Sequence, residues 1–260
     1  MEFQNIFDTH AHYVDPCFET DQQELLTSLP GKGVSLVMEA GCSMESSRQG
    51  IALSRECPYI YCAVGIHPQD AGTVSREDGY LDELAELAKE EKVKAIGEIG
   101  LDYHYLDHPK EVQRTRFEEQ LALARDLNLP VIIHNREAHA DSLALIARYR
   151  PKGVFHCFSG SKEMAKELVK LGMYLGFTGV LTFSNARRAL EAVKEIPMDR
   201  LLLETDCPFM APAPFRGQRC DSSMIPLHAQ KMAELKGVSV QEILDITNEN
   251  GRRLFGIEAD

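Results

Sequence analysis

Residues 3–12 read Phe-Gln-Asn-Ile-Phe-Asp-Thr-His-Ala-His, a short apolar run that passes directly into Asp8, His10 and His12. The run is too short for a helix and predicts a β-strand with polar side chains at its carboxyl end. Seven further apolar runs follow at nearly regular intervals. The eight predicted strands are 3–8, 34–39, 60–66, 94–99, 130–134, 154–158, 174–178 and 201–205.

Stretches with helical spacing of apolar residues separate these runs, as at Leu81, Leu84, Ala85 and Ala88. Strands that alternate with helices form parallel sheets, and eight such units in about 250 residues favour a (β/α)8 TIM barrel over an open doubly wound sheet. We expect a single TIM-barrel domain over 1–260. Residues 208–224, rich in Pro and Gly, predict an irregular loop across the barrel mouth, and Ser239 predicts the N-cap of a last helix over 240–255.

The composition is that of a globular protein, with 44% hydrophobic and 26% charged residues among 260. The net charge is −12, which excludes a protein that holds nucleic acid through a broadly basic surface. This charge is uneven, since residues 1–130 carry 11 basic and 24 acidic side chains and residues 131–260 carry 17 and 16. Any anion-binding surface is therefore expected mainly in the second half.

The seven cysteines form no Cys-x-x-Cys pair, and their odd number predicts reduced thiols and a cytoplasmic location. The first residues lack the basic and apolar regions of a signal peptide, and no apolar run reaches the length of a membrane span. We therefore expect no membrane association, and we favour a monomer.

Polar side chains stand where the predicted strands end, and that end of a TIM barrel carries the active site. Residues i and i+2 of an extended chain face the same side, so His10 and His12 can bind one ion. Imidazole and carboxylate together suit zinc or manganese, and carboxylate with water also suits magnesium. Glu98 is central among the strands and could bridge two ions. The predicted metal ligands are His10, His12, Glu98, His134, His156 and Asp206.

Several short motifs together resemble the TatD family of metal-dependent hydrolases. They include Asp-Thr-His-Ala-His at 8–12, Gly-Ile-His-Pro at 65–68, Gly-Glu-Ile-Gly-Leu-Asp-Tyr at 97–103, His-Cys-Phe-Ser-Gly at 156–160, Leu-Leu-Glu-Thr-Asp at 202–206 and Asn-Glu-Asn at 248–250. The resemblance implies an amidohydrolase-like barrel and a metal-dependent deoxyribonuclease, often a 3′-5′ exonuclease. It assigns His10, His12, Glu98 and Asp206 to one ion, and Glu98, His134 and His156 to a second. Cys207 and Cys220 depart from the family pattern, which often has Ala and Asn there.

The expected chemistry is hydrolysis of a DNA phosphodiester, on single strands or 3′ ends, by water that two Mg, Mn or Zn ions activate. Asp206 and Glu98 are the predicted catalytic residues, with Asp206 accepting the proton of the water. The predicted substrate contacts are His67, Arg136, Ser159, Glu204 and Arg216. Arg219 is a further candidate for phosphate contact, and Glu204 could instead support a metal ligand.

Two other function classes remain open at this point. One is hydrolysis of another ester or an amide on the same barrel, such as an aminoacyl-tRNA or a lactone. Many enzymes of that class place a carbamylated lysine on strand four, where this chain has Glu98 and has Lys94 at the opposite end of the strand. The other class is a scaffold on an inactive barrel, for which six converging metal ligands would serve no purpose.

Overall fold

A computed structural model describes residues 3–258; the ends of the predicted domain, at 1 and 260, lie outside this range. Eight parallel strands in this range form one sheet in sequential order. The strands are β1 (Ile6–Ala11), β2 (Val34–Ala40), β3 (Ile60–Val64), β4 (Val93–Asp102), β5 (Val131–Arg136), β6 (Gly153–Phe155), β7 (Tyr174–Phe177) and β8 (Leu201–Leu203). The sheet closes where the chain after β8 pairs with the end of β1, at Ala11 and Cys207. The predicted (β/α)8 barrel is confirmed.

A helix follows every strand and covers the outside of the barrel. The helices are α1 (Gln22–Ser28), α2 (Met44–Glu56), α3 (Tyr80–Leu87), α4 (Lys110–Leu127), α5 (His139–Tyr149), α6 (Lys162–Lys170), α7 (Arg187–Glu195), α8 (Ile225–Lys236) and α9 (Val240–Phe255). The side chain of Ser239 accepts a hydrogen bond from the Glu242 N–H and caps α9 as predicted. Among residues 3–258, none of the helices combines the length and the hydropathy needed to cross a bilayer.

Apolar side chains fill the barrel interior. Because β1 and β5 are opposite one another in an eight-membered ring, side chains from both can share a cluster only across the interior. One buried cluster contains residues of all eight strands together with Leu254, Phe255 and Ile257 from the end of the chain. The rings of Phe7 and Phe255 have centroids 6.1 Å apart, so the last turn of α9 closes the amino-terminal end. The opposite end is left for polar side chains.

The mouth loop, residues 208–224, is irregular except for a short 3-10 turn at Ser222–Met224. Arg219 anchors it to the loop after β1, because its guanidinium donates to the Asp21 carboxylate and to the Cys17 carbonyl oxygen at 2.9 Å. This ion pair engages the charge of Arg219, and the expected phosphate contact of Arg219 stays a prediction.

Candidate metal centre at the barrel mouth

The six side chains predicted as metal ligands meet at the carboxyl ends of the strands. His10 lies in β1 and His12 directly follows it, Glu98 lies in β4, His134 in β5, His156 directly after β6 and Asp206 shortly after β8. Glu98, His10 and His156 are buried, whereas His12, His134 and Asp206 keep some exposure to the cleft. The barrel therefore brings together residues that are separated by almost 200 positions in the sequence.

Four donor atoms form a first group around His10 and His12. The two Nε2 atoms lie 3.0 Å apart. Oε2 of Glu98 is 3.3 Å from His10 Nε2 and 3.6 Å from His12 Nε2. Oδ1 of Asp206 is 3.7 Å and 3.4 Å from the same two nitrogens. These four residues are the set that the resemblance assigned to one ion.

A second group forms around the other oxygen of Glu98. Oε1 lies 2.8 Å from Nδ1 of His134 and 2.8 Å from Nε2 of His156. The two histidine nitrogens are 3.4 Å apart. Nε2 of His67 is 3.6 Å from the same oxygen, so His67 borders this group as well.

The spacing within both groups fits a divalent cation. Two atoms bonded to one ion at about 2.0–2.2 Å lie about 2.9–3.6 Å apart, depending on whether the geometry is octahedral or tetrahedral. The distances of 2.8–3.7 Å in the two groups cover that interval. Glu98 contributes a different oxygen to each group. His, Glu and Asp side chains are thus placed to bind metal.

The second nitrogen of three of the histidines faces an acceptor. Nδ1 of His12 lies 3.0 Å from the carbonyl oxygen of Ala40, so it carries a proton and donates it. Nε2 of His134 lies 3.2 Å from Oδ2 of Asp102, and Nδ1 of His156 lies 3.6 Å from Oε1 of Glu204. The hydrogen bonds to Ala40 and Asp102 fix the tautomers of His12 and His134 and leave the lone pair of the other nitrogen facing the metal-binding groups.

Asp102 is a site residue that the sequence reasoning did not single out. It is 1% exposed, and its Oδ1 accepts hydrogen bonds from the N–H groups of His104 and Tyr105, both at 2.9 Å. Asp102 is four positions after Glu98, and both lie in β4. Since residues an even number apart share a face of a regular strand, the strand period was a signal that could have found it.

The electrostatics of the cluster favour ionised carboxylates. Burial disfavours the charged form of Glu98, but its interactions with the surrounding histidines, above all His156, outweigh burial and hold its pKa well below the usual value. In the same way, burial raises the pKa of Asp206, but the hydrogen bond to His12 and the nearby histidines outweigh it, and the pKa is lowered. Burial lowers the pKa of His67 to about 3, which keeps its imidazole neutral.

The seam between β1 and β8 positions His10, His12 and Asp206. The Asp206 N–H donates to the carbonyl oxygen of His10, and the His12 N–H donates to that of Cys207, both at 2.9 Å. Asp8 reinforces the seam, because its buried carboxyl accepts hydrogen bonds from Thr205. Cys207 takes part in the seam through its backbone, so the geometry does not depend on the side chain that departs from the family pattern. Cys220, the other departure, is 1% exposed and does not face the cleft.

Three predicted substrate contacts line a cleft above the metal-binding groups, with a volume of about 1010 Å³. They are His67, Arg136 and Ser159. The guanidinium of Arg136 lies 4.6 Å from the ring centroid of Tyr105, which also lines the cleft. The fourth predicted substrate contact, Arg216, lies beside this cleft and lines a neighbouring pocket.

The fifth expected contact, Glu204, has no exposed surface. Its Oε1 accepts the Cys157 N–H and faces His156. Gly176 makes room for this carboxylate, because a Cβ at that position would overlap it. The expected substrate contact of Glu204 is therefore corrected: it supports His156 from below.

Comparisons with known proteins agree with this geometry. A family model described as TatD related DNase matches residues 7–256. The uncharacterized metal-dependent hydrolase YabD of Bacillus subtilis is 44% identical over 255 residues, which cover 97% of this chain and 99% of that protein. The 3′-5′ ssDNA/RNA exonuclease TatD of Cronobacter sakazakii is 36% identical over 261 residues, or 96% of this chain and 97% of that protein. A crystal structure of YjjV, a TatD homologue from Escherichia coli, has a TM-score of 0.91 at 31% identity and covers 98% of this chain and 99% of its own. The chain therefore belongs to the TatD family of metal-dependent hydrolases.

Proposed function

We propose that this protein is a nuclease that binds two divalent ions and hydrolyses single-stranded DNA or RNA from the 3′ end. The observation that carries the proposal is the division of Glu98 between two donor groups at the floor of an open cleft. A carboxylate shared in this way is typical of sites that hold two ions against one phosphate. The name of the Cronobacter relative, a 3′-5′ ssDNA/RNA exonuclease, supports the substrate and the polarity.

The residues around the two metal-binding groups have different roles in the proposed reaction. When bound, two divalent ions would offset the negative charge of the phosphate and make a water molecule more acidic. Both oxygens of Glu98 face histidine nitrogens, so Glu98 is a ligand rather than a base. The ion pairs of Asp206 within residues 3–258 use Oδ1, and its side chain keeps 14% exposure to the cleft. Asp206 is therefore the group that accepts the proton of the attacking water through Oδ2.

Residues on the cleft wall orient the phosphodiester. The exposed guanidinium of Arg136 supplies a fixed positive charge with donors that match two phosphate oxygens. The exposed Ser159 hydroxyl and the neutral His67 can each donate one hydrogen bond. Asp102 and Glu204 keep His134 and His156 in position, so they act on the reaction through the histidines.

We infer that the enzyme works as a monomer in the cytoplasm. The seven cysteines are free thiols, which is the usual state in a reducing compartment. Most of the exposed large apolar side chains lie in loops of the barrel mouth, and Tyr105, Phe209 and Met210 line the metal cleft, which gives these three a role without a second subunit. Those mouth residues are Tyr105, Leu106, Phe209, Met210 and Phe215.

The direct test is digestion of 5′-labelled single-stranded DNA, single-stranded RNA and duplex DNA after treatment with EDTA, followed by Mg²⁺, Mn²⁺ or Zn²⁺. We expect a metal-dependent ladder of products shortened from the 3′ end, fastest on single strands. Glu98→Gln and Asp206→Asn should each reduce kcat/KM by roughly 10²-fold or more, because each removes a donor and a charge from the centre.

Matched surface substitutions serve as controls. Glu90→Gln and Asp126→Asn change the same chemical groups at exposed ion pairs and should keep wild-type activity. The proposal fails if no metal restores cleavage of any nucleic acid, or if the Glu98 and Asp206 variants digest it as fast as wild type. Metal-dependent hydrolysis of a lactone, an amide or an aminoacyl ester in place of nucleic acid would assign the same site to the alternative class.

A further inference from the structure

A second pocket, of about 660 Å³, lies beside the metal cleft and shares a wall with it. Phe209 and Met210 form the shared wall, since both residues line both spaces. Phe183 and Arg216 line only the second space, which we call the side pocket. Its volume is within the roughly 300–1,000 Å³ of sites that bind small ligands or parts of larger ones.

The backbone fixes the side pocket relative to the metal centre. Phe209 is three residues after Asp206, and its N–H donates to the Asp206 carbonyl oxygen at 2.9 Å. The Cys220 N–H donates to the Pro208 carbonyl oxygen at 3.0 Å and closes the base of the mouth loop. Gly179 lets this loop pack against the residues after β7, because a Cβ there would overlap the Met210 carbonyl oxygen. Phe183 and Phe209 therefore lie on two segments of the chain that pack against each other.

The surface of the side pocket is both aromatic and cationic. Phe209 is 52% exposed and Met210 is 38% exposed, so these two neighbouring residues form an apolar patch at the barrel mouth. The guanidinium of Arg216 lies 4.5 Å from the ring centroid of Phe183. The ion pairs found within residues 3–258 give Arg219 a carboxylate partner, Asp21, but give none to Arg216. Arg216 is thus oriented by Phe183 and free to bind an anion.

We propose that the side pocket binds the nucleobase of the nucleotide next to the phosphodiester bond at the metal centre. The base stacks on Phe209, and Arg216 binds the phosphate that follows. This inference rests on the proposed nuclease function and adds to it the surface that receives the base. Three observations select this occupant: the aromatic face, the unpaired cation beside it, and the wall shared with the metal cleft.

Every nucleobase can stack on an aromatic ring. The side pocket therefore binds the nucleotide chain without selecting a sequence. A duplex cannot offer its bases in this way without unpairing. We therefore expect the side pocket to favour binding of single strands over duplexes.

The test combines a change in the substrate with a change in Phe209. Two short oligodeoxynucleotides are compared with the intact one, each with an abasic residue on a different side of the terminal phosphodiester. Both KM and the dissociation constant are measured with Mn²⁺. At one of the two positions, loss of the base should weaken binding to wild type by about 5- to 50-fold. With Phe209→Ala the same loss should change binding by less than about 2-fold, whereas Phe209→Trp should keep the full effect. Arg216→Ala should weaken intact and abasic substrates alike, because it contacts phosphate.

Leu227→Ala is the matched control, because Leu227 is 39% exposed and lines neither pocket. It should keep the wild-type response to the abasic residue. The inference is overturned if wild type does not respond to loss of the base, or if Phe209→Ala responds as strongly as wild type. A change of oligomeric state in Phe209→Ala without any base effect would assign the surface to a second copy of the chain. Failure of the proposed function would give a different result. Wild type would then cleave none of these oligonucleotides, whether or not it binds them.

Discussion

His228 illustrates how one buried residue contributes to the response of this protein to acid. It lies in α8 with no exposed surface, and burial lowers its pKa to about 3. In the unfolded chain its pKa returns to about 6.5, so between these values the unfolded state binds the extra proton. The free energy of unfolding should therefore fall as the pH drops below about 6.5. At about pH 5 this single group should remove about 2 kcal/mol relative to about pH 7.5.

His228→Leu should abolish that part of the pH dependence, which urea unfolding at the two pH values would measure. The variant changes stability at neutral pH as well, so the quantity to compare is the difference between the two pH values. Met232→Leu, a buried substitution one turn further along α8, should shift both values equally. Identical pH differences in wild type and His228→Leu would show that His228 does not carry the effect.

At the scale of elements, α4 holds the ends of two strands through buried glutamines. Gln113 accepts the Asp102 N–H and donates to the Asp102 carbonyl oxygen, both at 2.9 Å. Gln120, seven residues further along the same helix face, accepts the Ile66 N–H at 2.8 Å and donates to the Ile66 carbonyl oxygen at 3.1 Å. Each side-chain amide thus makes the two backbone hydrogen bonds that a neighbouring strand would otherwise make. Asp102 and His67, which adjoin these bonds, depend on α4 for their position.

Substitution of either glutamine should leave two buried backbone groups without partners. We expect Gln113→Leu and Gln120→Leu each to lower the free energy of unfolding by about 2–6 kcal/mol, at roughly 1–3 kcal/mol for each group. Gln113→Leu should also lower kcat, because Asp102 then no longer holds His134 firmly. Gln230→Leu, an exposed glutamine on α8, should stay within about 0.5 kcal/mol of wild type in the same unfolding measurement. Equal stability of the three variants would contradict the role of the buried amides.

The strands and their order were predictable because each is a short apolar run followed by a helix. Their limits were not. The first strand was predicted to end at Asp8, but β1 runs to Ala11, which pairs with Glu39 of β2 and with Cys207 after β8. The fourth was predicted to end at Ile99, but β4 continues to Asp102, where residues 99–102 pair with β5. These extensions depend on contacts between distant segments, which periodicity within one segment does not contain.

In the candidate site too, some features were predictable from the sequence and others were not. Histidine and carboxylate residues at strand ends were visible as polar interruptions of apolar runs, and the structure brings all six together. The orientation of Glu204 was not visible, since a residue two positions from Asp206 was expected to face the cleft. β8 ends at Leu203, and the chain turns so that Asp206 has a positive φ of 59°. Alternation therefore does not extend from Glu204 to Asp206, and Glu204 lies below His156.

For the whole molecule, the net charge of −12 and the metal-binding groups must be considered together. Long-range repulsion from the acidic surface opposes the approach of a polynucleotide, and few arginines face the mouth. Two bound divalent ions would supply four positive charges where the phosphate lies, which reverses the local sign. Affinity for nucleic acid should therefore depend on the ions more than on the protein surface.

The last prediction concerns how salt and metal affect binding of a hydrolysis-resistant phosphorothioate oligonucleotide, measured by fluorescence anisotropy. Removal of metal with EDTA should abolish binding, and Mn²⁺ should restore it. Because Arg136 and Arg216 are the two expected phosphate contacts, the slope of log affinity against log salt should be about −1.4, at roughly −0.7 per contact. Arg216→Ala should make the slope shallower by about 0.7, whereas Lys166→Ala, which removes a cation already paired with Glu195, should not change it. A slope steeper than about −4, or binding that persists in EDTA, would instead indicate a broad basic surface, and would show that the acidic excess does not face the bound strand.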